Sequence, residues 1–340
     1  MSRRRNVRPL EELPSLFDAV DLDMSHADSP AADSTSAEAA AEIVDNAIEI
    51  APEALKRPET VRFISFGSGS SGNCSYVGNS NGGLLIDAGV DSKTVCSELR
   101  RNGISPATIA GILLTHDHND HVRYAYQMLR DNRHMLLFCT PRVLDGMLRR
   151  HSISRRIKDY HKAIYKEFEF EAGGFTVTPF DTSHDGSDNM GFHIRRGNNT
   201  FVVATDMGIV TERARHYIGL ANYLVLESNY DLDMLMHGPY PEYLKARIRG
   251  ERGHLDNAVS AALVRELLSS PGAPLSHMFL CHLSADNNTP EKALAAMHAE
   301  LAAAGISVGN ADGSAESLSA RVQISVLPRF NASPLYVFRS

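Results

Sequence analysis

Thr115–His121 reads Thr-His-Asp-His-Asn-Asp-His, and five of its residues carry side chains that ligate metals: His116, Asp117, His118, Asp120 and His121. Imidazole and carboxylate together suit Zn, Mn or Fe, whereas a soft copper site would call for sulfur. Ligands packed this densely cannot all reach one ion, because neighbouring side chains leave the backbone in different directions. Two ions satisfy them, with His116 and His118 on one and Asp120 and His121 on the other. Three of the 15 histidines fall within these six positions, which a chance polar loop does not account for.

A two-metal site needs ligands beyond one loop, and the chain offers them where apolar runs end. His184 follows Thr176–Phe180, Asp206 follows Phe201–Ala204, and His282 follows Leu275–Cys281. Each apolar run has the composition of a buried strand, which delivers the next side chain to a sheet edge. Asp185 competes with His184 as a ligand and is read as its supporting neighbour. Asp87, at the end of Leu84-Leu-Ile-Asp, is either a carboxylate that fixes a ligating imidazole or a turn residue.

The His-x-His-x-Asp-His pattern of His116, His118, Asp120 and His121 resembles the signature of the metallo-β-lactamase superfamily, and the likeness extends from about Val61 to the C-terminus. Phe66-Gly-Ser-Gly-Ser-Ser-Gly-Asn73, Glu227-Ser-Asn-Tyr-Asp231, Gly253-His-Leu-Asp-Asn257 and His282-Leu-Ser-Ala-Asp-Asn-Asn-Thr-Pro290 resemble the bacterial YycJ-like (WalJ-like) subfamily. That resemblance implies an αββα sandwich of α/β class and two divalent ions, Zn or Mn. It assigns His116, His118 and His184 to one ion, Asp120, His121 and His282 to the other, and Asp206 to a bridge. It further implies a phosphodiesterase or exonuclease acting on DNA or another nucleic acid. Two positions depart from the usual subfamily pattern: Asp256 stands where Ser is expected, and Tyr230 where His is common.

Two divalent ions about 3.5–4 Å apart hold a bridging water and bring its pKa towards about 7, so hydroxide is available at neutral pH. Asp120 is then both ligand and orienting base, and His254 a second catalytic candidate. The turn Gly67–Asn73 offers backbone N–H groups and the side chains of Ser70, Ser71 and Asn73 to a phosphate. Its Gly67, Gly69, Gly72 spacing also fits a dinucleotide fingerprint, but a strand follows at Ser75 where a helix is required. His254 and Asn257 open a helix, a place that favours anions; Asp256 there reads as an N-cap. Glu227, Asn229 and Tyr230 shape the pocket floor. Basic residues gather at Arg149, Arg150, Arg155, Arg156, Lys158 and Lys162, and at Lys245, Arg247, Arg249 and Arg252. Tyr160, Tyr165 and Tyr243 lie among them, a composition that tracks a nucleic-acid backbone or forms a solvated face.

The elements that must position these residues alternate between short strands and helices. Strands are expected at Val61–Phe66, Ser75–Val77, Gly83–Asp87, Ile109–Leu114, Met135–Cys139, Phe168–Phe170, Thr176–Phe180, Gly191–Ile194, Thr200–Ala204, Leu275–Cys281 and Val322–Val326. Helices are expected at Ser92–Arg101, Asp120–Leu129, Pro141–His151, Asp256–Leu268 and Pro290–Ala304. Residues 61–340 form the hydrolase domain in this reading. Residues 1–60 hold 13 acidic and 6 basic residues, with no aromatic between Phe17 and Phe63, and read as a disordered tail. Subtracting these from 41 and 34 leaves 28 of each sign, so the net charge of −7 sits in the tail and the body is neutral. Gly309–Ala320 reads as a loop. Cys74, Cys96, Cys139 and Cys281 form no Cys-x-x-Cys pair and read as thiols of a reducing cytosol. No apolar h-region follows Arg3–Arg5, which suggests a cytoplasmic protein. The alternatives are a thioesterase or lactonase using the same hydroxide, and a non-catalytic binding module.

Overall fold

The computed structural model describes residues 60–310, 317 and 319–339. The acidic tail and most of the Gly309–Ala320 loop therefore lie outside the described residues. The rest falls in a single unit, Lys56–Ser340, built on two sheets.

The first sheet runs in the order Tyr336–Arg339, Thr60–Gly67, Cys74–Gly78, Gly83–Ile86, Ile109–Leu113, Leu136–Cys139, His161–Ala163. The second runs Val308–Gly309, Val322–Val326, His277–Cys281, Tyr223–Glu227, Asn199–Ala204, Met190–Arg196, Phe175–Asp181, Phe170–Ala172. The inner strands of both sheets are short and almost wholly buried, because each sheet is covered on both faces, while the outermost strands are partly exposed. In the second sheet the two-residue period of a strand sorts side chains cleanly. Phe201, Val203, Tyr223, Val225, Phe279 and Cys281 face the first sheet. Their alternates Val202, Ala204, Leu224, Leu226, Met278 and Leu280 pack under Asn257–Ser269 and Pro290–Ala303. Phe63 joins the sheets, with its ring 4.9 Å from Phe201 and 4.8 Å from Phe279. Each such buried aromatic contributes roughly 1.5–3 kcal/mol. The αββα order is the one expected.

Some elements differ from expectation. The helix expected over Asp120–Leu129 is two, Asn119–Val122 and Ala125–Asp131. Between them Tyr124 N donates to Ala88 O (2.9 Å), while Ala88 N donates to His121 O (2.7 Å), so tertiary bonds displace the helical ones. The strands His161–Ala163, Tyr223–Glu227, Val308–Gly309 and Tyr336–Arg339 and the helices Glu212–Gly219, Leu232–His237 and Glu242–Arg249 are not among the expected elements, and the strand expected at Phe168–Phe170 lies at Phe170–Ala172. Among the described residues no helix is long and apolar enough to cross a membrane, and all four cysteines are free and buried.

Candidate metal centre

The strand Ile109–Leu113 leads directly into the ligand loop, which seats against the turn after Gly83–Ile86. Gly89 permits that seating: a Cβ there would lie 1.6 Å from Asp120 O. Three site residues occupy left-handed backbone: Asp87 (φ 61°), Asp206 (φ 57°) and His282 (φ 55°). Each follows a strand end, where this turn carries the chain away from the sheet while its side chain stays at the centre. Asp117 is turned the other way. Fully buried, it accepts from Ser187 N (2.8 Å) and Ser187 Oγ (2.7 Å), and so ties the first ligand loop to the His184 loop.

Two clusters result. The ring nitrogens of His116, His118 and His184 lie within 4.8 Å of one another, as do the donor atoms of Asp120, His121 and His282. Asp206 stands between them, 3.8 Å from His184 Nε2 and 3.5 Å from His121 Nε2, and also clusters with His116 and His121. Four of the five histidines are hydrogen-bonded through their second nitrogen, and the fifth, His118, stands beside a carboxylate. His116 Nδ1 meets Thr115 Oγ1 (2.9 Å), His184 Nδ1 meets Gly253 O (2.8 Å), and His118 Nε2 lies 3.1 Å from Asp185 Oδ1. His121 Nδ1 meets Asp87 Oδ2 (2.7 Å) and His282 Nδ1 meets Glu227 Oε1 (3.1 Å). Such outer partners fix ring orientation in metal sites. His116 Nε2, buried and without a hydrogen-bond partner, is the decisive observation: a desolvated lone pair costs free energy unless something binds it, and a cation fits.

The clusters differ in charge. Burial lowers the pKa of His116 well below the usual imidazole value, and neighbouring histidines add to it. Burial brings His118 down to about 4 and also lowers His184. In the second cluster burial is overcome. Asp87, Asp120 and Asp206 raise His121 well above the usual value, and Asp206, Asp120 and Glu227 bring His282 up to about 10. Asp120, Asp206 and Glu227 are held ionised below the usual carboxylate range, since the facing histidines outweigh their burial. The donor set suits metal binding.

Residues 83–278 match the model of the β-lactamase superfamily domain. The chain belongs to this superfamily. Among its members it is 31% identical over 252 residues to exodeoxyribonuclease YycJ of Bacillus anthracis, covering 74% of this chain and 93% of that one. It is also 31% identical over 244 residues to exodeoxyribonuclease WalJ of Streptococcus pneumoniae, covering 71% and 88%. Similar solved structures include the metallo-β-lactamase fold protein YhfI of Bacillus subtilis (TM-score 0.55, 14% identity, 82% of this chain and 100% of that one). Zn(2+)-bound PqqB of Methylobacterium extorquens has a TM-score of 0.52 at 15% identity, over 80% of this chain and 99% of that one. The protein is thus a metallo-β-lactamase-fold hydrolase.

Around this superfamily centre the remaining candidates take distinct places. Asn73 is a clamp: its Oδ1 accepts from Gly69 N (2.8 Å), and its Nδ2 donates to Asp120 Oδ2 (3.1 Å) and lies 3.0 Å from His121 Nε2. Ser70 and Ser71 stand exposed at the tip of the same turn. His254 is partly exposed, its Nδ1 2.7 Å from Glu227 Oε1. Asn229 donates to His282 O (2.7 Å). Asn257 is buried, with its Oδ1 accepting from Ser228 Oγ (2.6 Å) and its Nδ2 donating to Asn288 Oδ1 (2.9 Å), so it sits beneath the site. Asp256 caps the helix through Ala258 N, and Tyr230 is buried beside it. Of the basic residues, Arg150 reaches Asp117 (3.5 Å), Arg247 pairs with Asp185 (2.7 Å) and Arg252 Nε donates to His184 O (3.0 Å). Arg156 pairs with its neighbour Asp159 (3.7 Å).

Glu227 is the residue whose centrality the sequence reading missed. Wholly buried, it supports His254 and His282 through Oε1 and accepts from Met207 N (2.8 Å) and Leu255 N (3.2 Å) through Oε2. Its signal was present: a carboxylate directly after the apolar run Leu224–Leu226, as Asp206 follows its own.

Proposed function

We propose that this chain is a dinuclear metal-dependent phosphodiesterase that acts as an exonuclease on DNA. The observation that carries it is the pair of ligand clusters with Asp206 between them; the nuclease assignment draws on the relatives named exodeoxyribonuclease. His116, His118 and His184 would hold one ion and Asp120, His121 and His282 the other, with Asp206 available to both. Five imidazoles with two carboxylates suit Zn or Mn. Bound divalent ions supply hydroxide at neutral pH and neutralise charge developing on the phosphate.

The chain's own residues do the rest. Asp120, held ionised by His121 and His282, accepts a hydrogen bond from the nucleophile and so orients it. His254, fixed through Nδ1 on Glu227, leaves Nε2 to give a proton to the departing oxygen, a role worth about 10²–10⁴-fold. The Gly67–Asn73 turn, with Ser70 and Ser71 exposed, holds non-bridging phosphate oxygens. Asn229 and Asn257 act from below, keeping His282 and the 228–231 segment in place. Residues 61–340 form the catalytic domain and 1–60 an appended acidic tail. The four free buried thiols support a reducing, cytoplasmic setting.

The test is metal analysis after incubation with excess Zn or Mn, followed by end-labelled single-stranded and duplex DNA with a generic thioester in parallel. We expect two ions per chain and progressive release of nucleotides. One ion or fewer overturns the dinuclear site. Fast thioester turnover without cleavage of either DNA overturns the nuclease assignment.

A further inference from the structure

A cavity of about 370 Å³ opens against the outside of the His184 loop, with Arg142, Lys166 and Arg252 on its walls. A second, of about 390 Å³, shares Arg142, Lys166 and Asp188 with the first and ends at Tyr165. Two cavities with three walls in common make one groove that has the candidate ligand His184 in its wall at one end and Tyr165 at the other. We propose that this groove is the track for a single-stranded DNA end, with phosphates on Arg252 and Arg142 and a nucleobase stacked on Tyr165. The proposal rests on the phosphodiesterase reading and specifies the form of its substrate.

Charge favours it. Lys166 bridges the groove's two carboxylates, Asp181 (2.5 Å) and Asp188 (2.6 Å), and Asp188 also accepts from Thr140 Oγ1 (2.8 Å). Those acids are therefore engaged, while among the described residues Arg142 has no acceptor and Arg252 uses only Nε, on His184 O. Counting three cations against two acids leaves a balance of +1.

Position favours it too. A Cβ on Gly146 would lie 2.0 Å from Asp117 Oδ2 and 2.3 Å from Ser187 Oγ, so only glycine lets the helix Pro141–Arg150 seat on that pair. Arg142 is four residues earlier, on the same helix face and one turn nearer the groove. The arginine is thus set by the same Asp117 that follows the ligand His116.

At the far end Tyr165 is 57% exposed and Phe168, in the same turn, 70%. Single exposed aromatics are common, but Tyr165 lines a cationic groove, and with Phe168 in the same turn it matches a stacking platform for unpaired bases. Bases stacked inside a duplex present no free face to it.

The test uses Zn- or Mn-loaded protein and a fluorescein-labelled oligothymidylate, with affinity read by anisotropy across a salt series. Tyr165→Ala should weaken binding about 5- to 100-fold, as loss of one base–aromatic stack predicts, and Tyr165→Phe should retain it. Arg142→Ala should weaken binding and flatten the log–log salt slope by about 0.7. Arg101→Ala, on an exposed helix and paired with Glu98, serves as the charge-matched control that stays at wild type. Affinities for Tyr165→Ala and Arg142→Ala within two-fold of wild type overturn the groove. Wild-type hydrolysis of bis(p-nitrophenyl) phosphate tests the parent reading separately. If it and DNA cleavage both fail, the phosphodiesterase assignment falls, and the binding series alone still decides the groove.

Discussion

Behind His116 and His184 stand a threonine hydroxyl and a peptide carbonyl, whereas behind His121 and His282 stand two buried carboxylates, Asp87 and Glu227. Three imidazoles face the centre in the first cluster and two imidazoles with Asp120 in the second, and the imidazoles of the first are held neutral while those of the second hold their protons. The carboxylates around each cluster, Asp120 and Asp206 beside the imidazoles and Asp87 and Glu227 behind them, therefore decide how it meets a cation. The first offers ready lone pairs and little charge. The second offers stronger attraction, but a cation must displace protons to use it.

The largest effect should come from removing the carboxylate that belongs to the second cluster and to the proposed chemistry. Asp120→Ala is expected to bind one ion in place of two and to lose about 10³-fold or more in turnover. Metal analysis beside kinetics checks this, and retention of two ions would break the assignment of Asp120 to a cluster.

A smaller effect separates the two backgrounds. Glu227→Gln keeps shape and removes the charge behind His282 and His254, so affinity for the second ion and turnover should each fall about 10- to 100-fold. Asp185→Asn removes a carboxylate behind His118 that already shares itself with Arg247, and should cost less than about ten-fold. Equal losses in competitive chelator titrations would erase the distinction between the clusters.

The smallest effect is in protons. At pH 7 the second cluster should release about two protons on metal uptake and the first none, because His121 and His282 lie above their usual pKa and His116, His118 and His184 below. The same signs apply to the metal-free fold. The stabilising contribution of His282 is complete below the unfolded value near 6.5 and fades as pH climbs through about 10. For His118, held at about 4, stability is lost as pH falls from 6.5 towards 4. Calorimetry of metal binding in buffers of different ionisation enthalpy reads the proton count, and equal release from both clusters would contradict the electrostatic account.

Much of this was legible from residue order because the candidate ligands sit where apolar runs stop. His184, Asp206 and His282 each follow a strand, and the first ligand loop is contiguous. What stayed hidden depended on tertiary facts. Tyr223–Glu227 is only five residues long, and unless that strand is recognised its terminal glutamate looks like a loop residue. Asn257 carries the polarity of a substrate contact, but whether its amide faces the site or the interior is set by Ser228 and Asn288, which are distant in sequence. The split in the expected Asp120–Leu129 helix comes from Ala88, whose backbone no local pattern brings alongside.

The left-handed backbone at Asp87, Asp206 and His282 bears on how this protein tolerates change. A non-glycine residue in that conformation costs the fold about 1 kcal/mol or more, and glycine would relieve it. Asp206→Gly would also strip the charge that faces buried His121 and His282, a loss of about 3–5 kcal/mol that exceeds the relief. Asp87 and His282 are tied in by buried partners of their own, so a laboratory selection that rewarded survival of heating alone would have reason to keep these side chains rather than trade them for glycine.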